Sequence, residues 1–148
     1  MGLDLNSVFR KGILMAVANP AVQSFVDKYG MQLGAARFVA GETIDEAIVN
    51  LKRLEDQGFK TNTTLLGEGI ADEVEALAVV GEYIYILDRL KEEGLKTNLS
   101  IKLTHLGLDL GEEIAYRNVE RIVEHAASLD TFVRIDMEES SRVDVTLL

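Results

Sequence analysis

Gly58-Phe59-Lys60-Thr61-Asn62 and Gly94-Leu95-Lys96-Thr97-Asn98 are two copies of one phrase, 36 residues apart. Each copy follows a stretch of helical spacing and opens a short run of strand character. Each run then reaches Leu-Gly, at Leu66-Gly67 in the first and Leu106-Gly107 in the second. A helix, a glycine that ends it and a strand, repeated in tandem at this period, form the pattern of a βα repeat. Strands joined through helices need crossover connections, so the sheet they build is parallel.

The same pattern extends to both sides. Thr43 and Glu46 make a capping box for a helix whose Ile44, Ala47, Ile48, Leu51 and Leu54 recur at helical spacing, with Gly58 as the residue past its end. The spacing predicts a long helix over 72–93, with Leu77, Val80, Ile84, Leu87 and Leu90 on one stripe. A further helix is expected over 112–128, burying Ile114, Val119, Ile122, Val123 and Ala126. Strands are expected at 37–40, 60–66, 97–104 and 132–137, and residues 142–148 read as the start of another helix. Residues 1–35 read as a separate N-terminal helical segment, where Asn19 caps a helix that Pro20 opens. Residues 36–148 then hold about four parallel strands with intervening helices: a small open α/β sheet, or the N-terminal half of a (βα)8 barrel.

Composition narrows the function. With 148 residues the chain can bury a core, and its net charge of −10 argues against nucleic acid or an anionic membrane surface as the main partner. The sequence has no cysteine, which excludes disulfides, a thiol nucleophile and thiolate metal ligands, and fits a cytoplasmic protein. Ile13–Ala18 is too short an apolar run to span a bilayer and lacks a usual cleavage pattern, so no targeting segment is read.

Two residues stand out for chemistry. In Leu99-Ser100-Ile101-Lys102-Leu103-Thr104, alternation puts Lys102 on a face with Ser100 and Thr104, opposite Leu99, Ile101 and Leu103. In a barrel this lysine would point inward near the strand's C-terminal end, where barrel enzymes keep their active sites. On an open sheet it would blunt an edge. In Phe132-Val133-Arg134-Ile135-Asp136-Met137-Glu138, Asp136 ends the next strand and can pair with a neighbouring lysine or contact a ligand, or simply cap a helix. His125 reads as structural, and His105 as a turn residue or a site-lining one. Gly67-Glu68-Gly69 lacks the third glycine of a dinucleotide loop. Asp72–Glu75 and Glu138-Glu139 read as helix-start charges. No metal-binding spacing is present.

Four motifs, in this order along the chain, resemble bacterial proline dehydrogenase: Arg37-Phe38-Val39-Ala40-Gly41-Glu42-Thr43, Leu66-Gly67-Glu68, Ser100-Ile101-Lys102-Leu103-Thr104-His105-Leu106-Gly107-Leu108 and Arg134-Ile135-Asp136-Met137-Glu138. The resemblance implies the N-terminal half of a distorted (βα)8 TIM barrel. It implies FAD-dependent oxidation of proline to 1-pyrroline-5-carboxylate, with a quinone-type electron acceptor. It also implies site roles. Lys102 would bind the substrate carboxylate. Asp136 would act as the catalytic carboxylate that supports that lysine. Glu68 would form a gating ion pair with a substrate-binding arginine, and Met137 would touch FAD.

Two departures from the family pattern are visible. Thr64 stands where the family has Asp, which alters the polarity expected beside the second strand. The family's later strands and arginines have no positions in this chain. The expectation is therefore a fragment that is not competent alone, and that forms a homo-oligomer or needs the missing C-terminal half. The alternatives are a non-catalytic half-barrel that self-associates, and a different small-molecule barrel enzyme. Membrane contact is expected to be transient at most, because no lysine-rich amphipathic helix is present. Cytoplasmic residence, with peripheral approach to the membrane, follows.

Overall fold

The computed structural model of the chain describes residues 15, 19–30, 34, 39–67 and 69–147. The chain divides into two compact units, Met1–Glu42 and Thr43–Leu148. In the first unit, Asn19 caps helix α1 (Pro20–Tyr29) by accepting the Ala21 N–H at 2.9 Å. Pro20 stands in the first turn, where its missing N–H costs nothing. The strand expected at 37–40 lies partly outside the described residues, and Val39 and Ala40 are not in a strand.

The second unit alternates helices and strands. Helix α2 (Ile44–Asp56) leads to β1 (Asn62–Thr63), α3 (Glu73–Glu92) to β2 (Asn98–Ile101), and α4 (Glu112–Ser128) to β3 (Val133–Ile135). Short 3-10 turns follow at Thr104–Leu106 and Ser140–Arg142, and one helical turn, α5 (Val143–Thr146), comes last. Among the described residues the sheet has 3 strands, in the order β1-β2-β3. All pairs are parallel, with Asn62 opposite Asn98 and Leu99, Ser100 and Ile101 opposite Val133, Arg134 and Ile135.

The glycines, threonines and asparagines of the repeated phrase each have a structural cause. Gly58 (φ 85°) and Gly94 (φ 69°) take the left-handed conformation that ends a helix. Behind them the Phe59 N–H returns to the Leu54 carbonyl at 3.1 Å and the Leu95 N–H to the Leu90 carbonyl at 3.0 Å. Helix α4 ends in the same way, with Asp130 (φ 56°) in the left-handed position and the Thr131 N–H returning to Ala126 at 3.0 Å. The helix end thus recurs a third time, with none of the phrase's residues kept in Asp130-Thr131-Phe132-Val133-Arg134.

The threonines of the phrase share one carboxylate. Glu55, near the end of α2, accepts the Thr61 hydroxyl at 2.8 Å and the Thr97 hydroxyl at 2.9 Å. The Lys96 N–H also reaches it, 3.1 Å from each oxygen. Burial pushes the Glu55 carboxyl up, but the Lys96 N–H and the two hydroxyls outweigh it and hold the group below its ordinary value. The asparagines pair across the sheet. Asn62 Nδ2 donates to Asn98 Oδ1 at 2.6 Å, and Arg134 Nε donates to the same oxygen at 2.9 Å.

The core lies between the sheet and the helices. Ile48 and Leu51 of α2, Val80, Tyr83, Ile86, Leu87 and Leu90 of α3, Leu99 and Ile101 of β2, and Ile122 and Ala126 of α4 are buried. Helix α3 presents a slightly different face from the expected stripe. Leu77 is exposed, while Tyr83 and Ile86 turn inward beside Val80 and Leu87. In α4, Val123 is exposed and Asn118 is buried instead, donating to the Leu106 carbonyl at 3.0 Å. A buried asparagine breaks no rule once its hydrogen bond is made. Among the described residues no helix is long and apolar enough to cross a membrane.

Candidate functional site at the C-terminal strand ends

The three strands run parallel, so the segments that follow them emerge on one edge of the sheet. Thr64 follows β1, Lys102 follows β2 and Asp136 follows β3. The strand expected over 97–104 stops at Ile101, and Lys102 is the first residue beyond it. The chain turns there because Leu103 already accepts the Leu106 N–H at 3.0 Å, closing a 3-10 turn. Both faces of this run are covered: Ser100 and Thr104 are buried, as are Leu99, Ile101 and Leu103, and Lys102 is half-buried.

Asp136 sits beside the end of β2. Its N–H donates to the Ile101 carbonyl at 2.9 Å, one more rung after Ile135. Lys102 and Asp136 therefore leave neighbouring strands at the same level, Asp136 being half-buried. Met137, next in the chain, is exposed. Glu68 lies outside the described residues, but Gly67 before it is placed. A Cβ on Gly67 would stand 2.4 Å from His105 Nε2, so only glycine allows the loop after β1 to lie this close to the imidazole.

His105 is buried inside the 3-10 turn, edge-on to Tyr83 with ring centroids 6.0 Å apart. It thus lies between the loop after β1 and helix α3. Among the described residues the buried Tyr83 hydroxyl has no hydrogen-bond partner. Burial raises its pKa, the nearby Thr64 side chain offsets part of that rise, and the Asp136 charge adds to it. The Thr64 hydroxyl itself turns to the Leu65 carbonyl at 3.4 Å.

Sequence reasoning missed two members of this cluster. Tyr83 stood off the expected stripe of α3. Glu138 read as a helix-start charge, yet its carboxylate reaches back to Thr104, accepting the N–H at 3.1 Å and the hydroxyl at 2.5 Å. Glu139 precedes the 3-10 turn at Ser140–Arg142 and pairs with Arg142 at 3.0 Å. Glu138 had one available signal: it belongs to the Arg134–Glu138 motif. His125 is structural in its geometry, with Nε2 2.7 Å from Asp88 across α3 and α4. Among the described residues no group of three or more His, Asp or Glu side chains is arranged to hold a metal.

Residues 47–148 match the proline dehydrogenase family. Proline dehydrogenase 1 of Bacillus subtilis is 39% identical over 140 residues, covering 95% of this chain and 46% of the relative. Proline dehydrogenase of Deinococcus radiodurans is 34% identical over 146 residues, covering 97% of this chain and 47% of the relative. The chain spans about half the length of these curated relatives. Among solved structures, proline utilization A (PutA) from Bdellovibrio bacteriovorus, inactivated by N-propargylglycine, superposes with a TM-score of 0.72. That likeness covers 90% of this chain and 16% of the other at 23% identity, and it concerns the fold.

Proposed function

The chain belongs to the proline dehydrogenase family, and from that premise we propose that it forms the N-terminal half of a distorted (βα)8 barrel that oxidises proline in proline catabolism. The observation that carries this reading is the joint emergence of Lys102 and Asp136 from neighbouring parallel strands, tied by the bond from Asp136 N–H to the Ile101 carbonyl. Barrel chemistry is built at that end of the strands.

The residues divide the work by charge. Proline is a zwitterion, so its carboxylate needs a cation and its ring must be held with one carbon facing the electron acceptor. Lys102 supplies the cation at the end of β2. Asp136 supports and orients that lysine from the end of β3, and its negative charge limits how far the ammonium can stray. Glu68 pairs with an arginine from outside this chain and helps to exclude water once substrate is bound. FAD, when bound, supplies the two-electron acceptor that these side chains lack. Met137 fits it: an exposed, polarisable thioether beside Asp136 suits contact with a flat aromatic ring. A quinone-type compound would be the final electron acceptor, met in transient contact of a cytoplasmic protein with the membrane.

Visible spectra of the full-length protein with FAD, before and after proline, test this reading. Proline is expected to bleach the bound flavin, and Lys102→Ala to raise the proline needed by about tenfold or more, the worth of one charge-assisted hydrogen bond. Bound flavin that proline leaves unchanged would refute the substrate assignment. A second reading, a non-catalytic half-barrel that self-associates, draws on the exposed Phe132, Ile135 and Met137 around β3. Size-exclusion chromatography of the 148-residue chain tests it: a concentration-independent monomer would count against it.

A further inference from the structure

Lys102 is held from both sides along the chain. Upstream, Ile101 is fixed in the sheet opposite Ile135, and its carbonyl accepts the Asp136 N–H at 2.9 Å. Downstream, Thr104 is fixed by Glu138, which takes its N–H at 3.1 Å and its hydroxyl at 2.5 Å. Lys102 and Leu103 alone lie between these anchors. Thr104 is buried and Glu138 half-buried, so water competes weakly for the two bonds. A carboxylate that holds two donors of one residue fixes that residue's orientation as well as its position.

The turn that Thr104 opens is braced further along. Asn118 of α4 donates to the Leu106 carbonyl at 3.0 Å, and the His105 ring is packed against Gly67. These contacts hold Leu106 and His105, and Thr104 itself is held within the turn by its carbonyl, which accepts the Gly107 N–H at 3.3 Å. Glu138 holds it across 34 residues of sequence, from the loop that also carries Asp136 and Met137.

We propose that Glu138 is a positioning residue for Lys102: by anchoring Thr104 it sets where the lysine ammonium stands at the end of β2. This rests on the reading of Lys102 as the group that binds the carboxylate of proline. A charge that merely started a helix would leave the turn after β2 unaffected when removed.

Two measurements test the proposal. In the 148-residue chain, amide exchange at Thr104, His105 and Leu106 is expected to speed up about tenfold in Glu138→Ala. Glu138→Gln, whose carbonyl still accepts the Thr104 N–H, is expected to stay near the unaltered protein. In the full-length, flavin-loaded protein, Glu138→Ala is expected to raise the proline KM about tenfold with the flavin spectrum kept. In a Lys102→Ala background the same change is expected to have no further effect on KM.

Unchanged exchange in Glu138→Ala overturns the anchor. Faster exchange with an unchanged KM overturns the link to Lys102, and so does a KM rise of equal size after Lys102 has been removed. If Glu138→Ala does not fold, Thr104→Ala, which loses only the hydroxyl arm, is read by the same criteria. Full-length protein that binds FAD and ignores proline overturns the reading of Lys102 alone, and the exchange result still decides whether Glu138 anchors the turn.

Discussion

The two ends of the sheet use similar side chains in opposite ways. At the N-terminal ends of the strands, Glu55 is met by the Thr61 and Thr97 hydroxyls and the Lys96 N–H, and the two threonines contact each other at 2.6 Å. That network is closed: each member finds its partner within a few ångströms. At the C-terminal ends, Lys102 and Asp136 stand half-buried, Asp136 donating the last rung to the Ile101 carbonyl, and the buried Tyr83 hydroxyl has no hydrogen-bond partner among the described residues. A satisfied buried network supports stability, whereas a buried hydroxyl without a partner costs it. The repeated phrase follows the same division. Its two copies agree where they tie the sheet together and part after Asn62 and Asn98, on the way to the end that carries Lys102.

The sharpest test of this contrast is Lys102→Ala in the full-length protein, expected to lower kcat/KM for proline by about a hundredfold or more while the melting temperature holds. An equal loss of stability would erase the distinction between the two ends. The complementary change is Glu55→Ala, expected to lower stability by about 2 kcal/mol, read by urea unfolding, with the proline KM unaltered. A shift in KM would show that the closed end reaches the site.

Acid refines the second test. The Glu55 carboxyl lies below its ordinary value of 4.5 in the folded chain, so the unfolded chain takes up the proton first. Its stabilisation is therefore whole above pH 4.5 and fades as the pH falls through the lower folded value. Glu55→Gln is expected to flatten that acid limb in unfolding curves taken between neutral and acid pH, and an unchanged limb would assign it to other carboxylates. The smallest effect is expected from Tyr83→Phe, neutral to about 1 kcal/mol more stable by thermal melting, because the hydroxyl it removes has no partner among the described residues. A clear destabilisation would mean that the hydroxyl is satisfied after all.

Much of the fold was legible because its signals are local. A left-handed glycine, a capping threonine and apolar residues at helical spacing each act within a few residues, so the helices at Ile44–Asp56, Glu73–Glu92 and Glu112–Ser128 could be read closely. Strand lengths could not. The run after Thr97 has strand character as far as Thr104, but Leu103 and Thr104 find partners in a turn and in Glu138, and β2 ends at Ile101. The third helix end gives no such sign, because Asp130 adopts a conformation for which glycine is the expected residue.

Read alone, the sequence determined the parallel order of helix and strand, the two residues placed at neighbouring strand ends and the family resemblance, since periodicity, chain direction and motif order all lie along one dimension. Only the tertiary structure decided that Glu55 joins the two repeats, that Gly67 lies on His105 and that Glu138 holds Thr104. Each of these links residues far apart in the chain, and a hydrogen bond or a close contact depends on distance in space, which sequence separation does not encode.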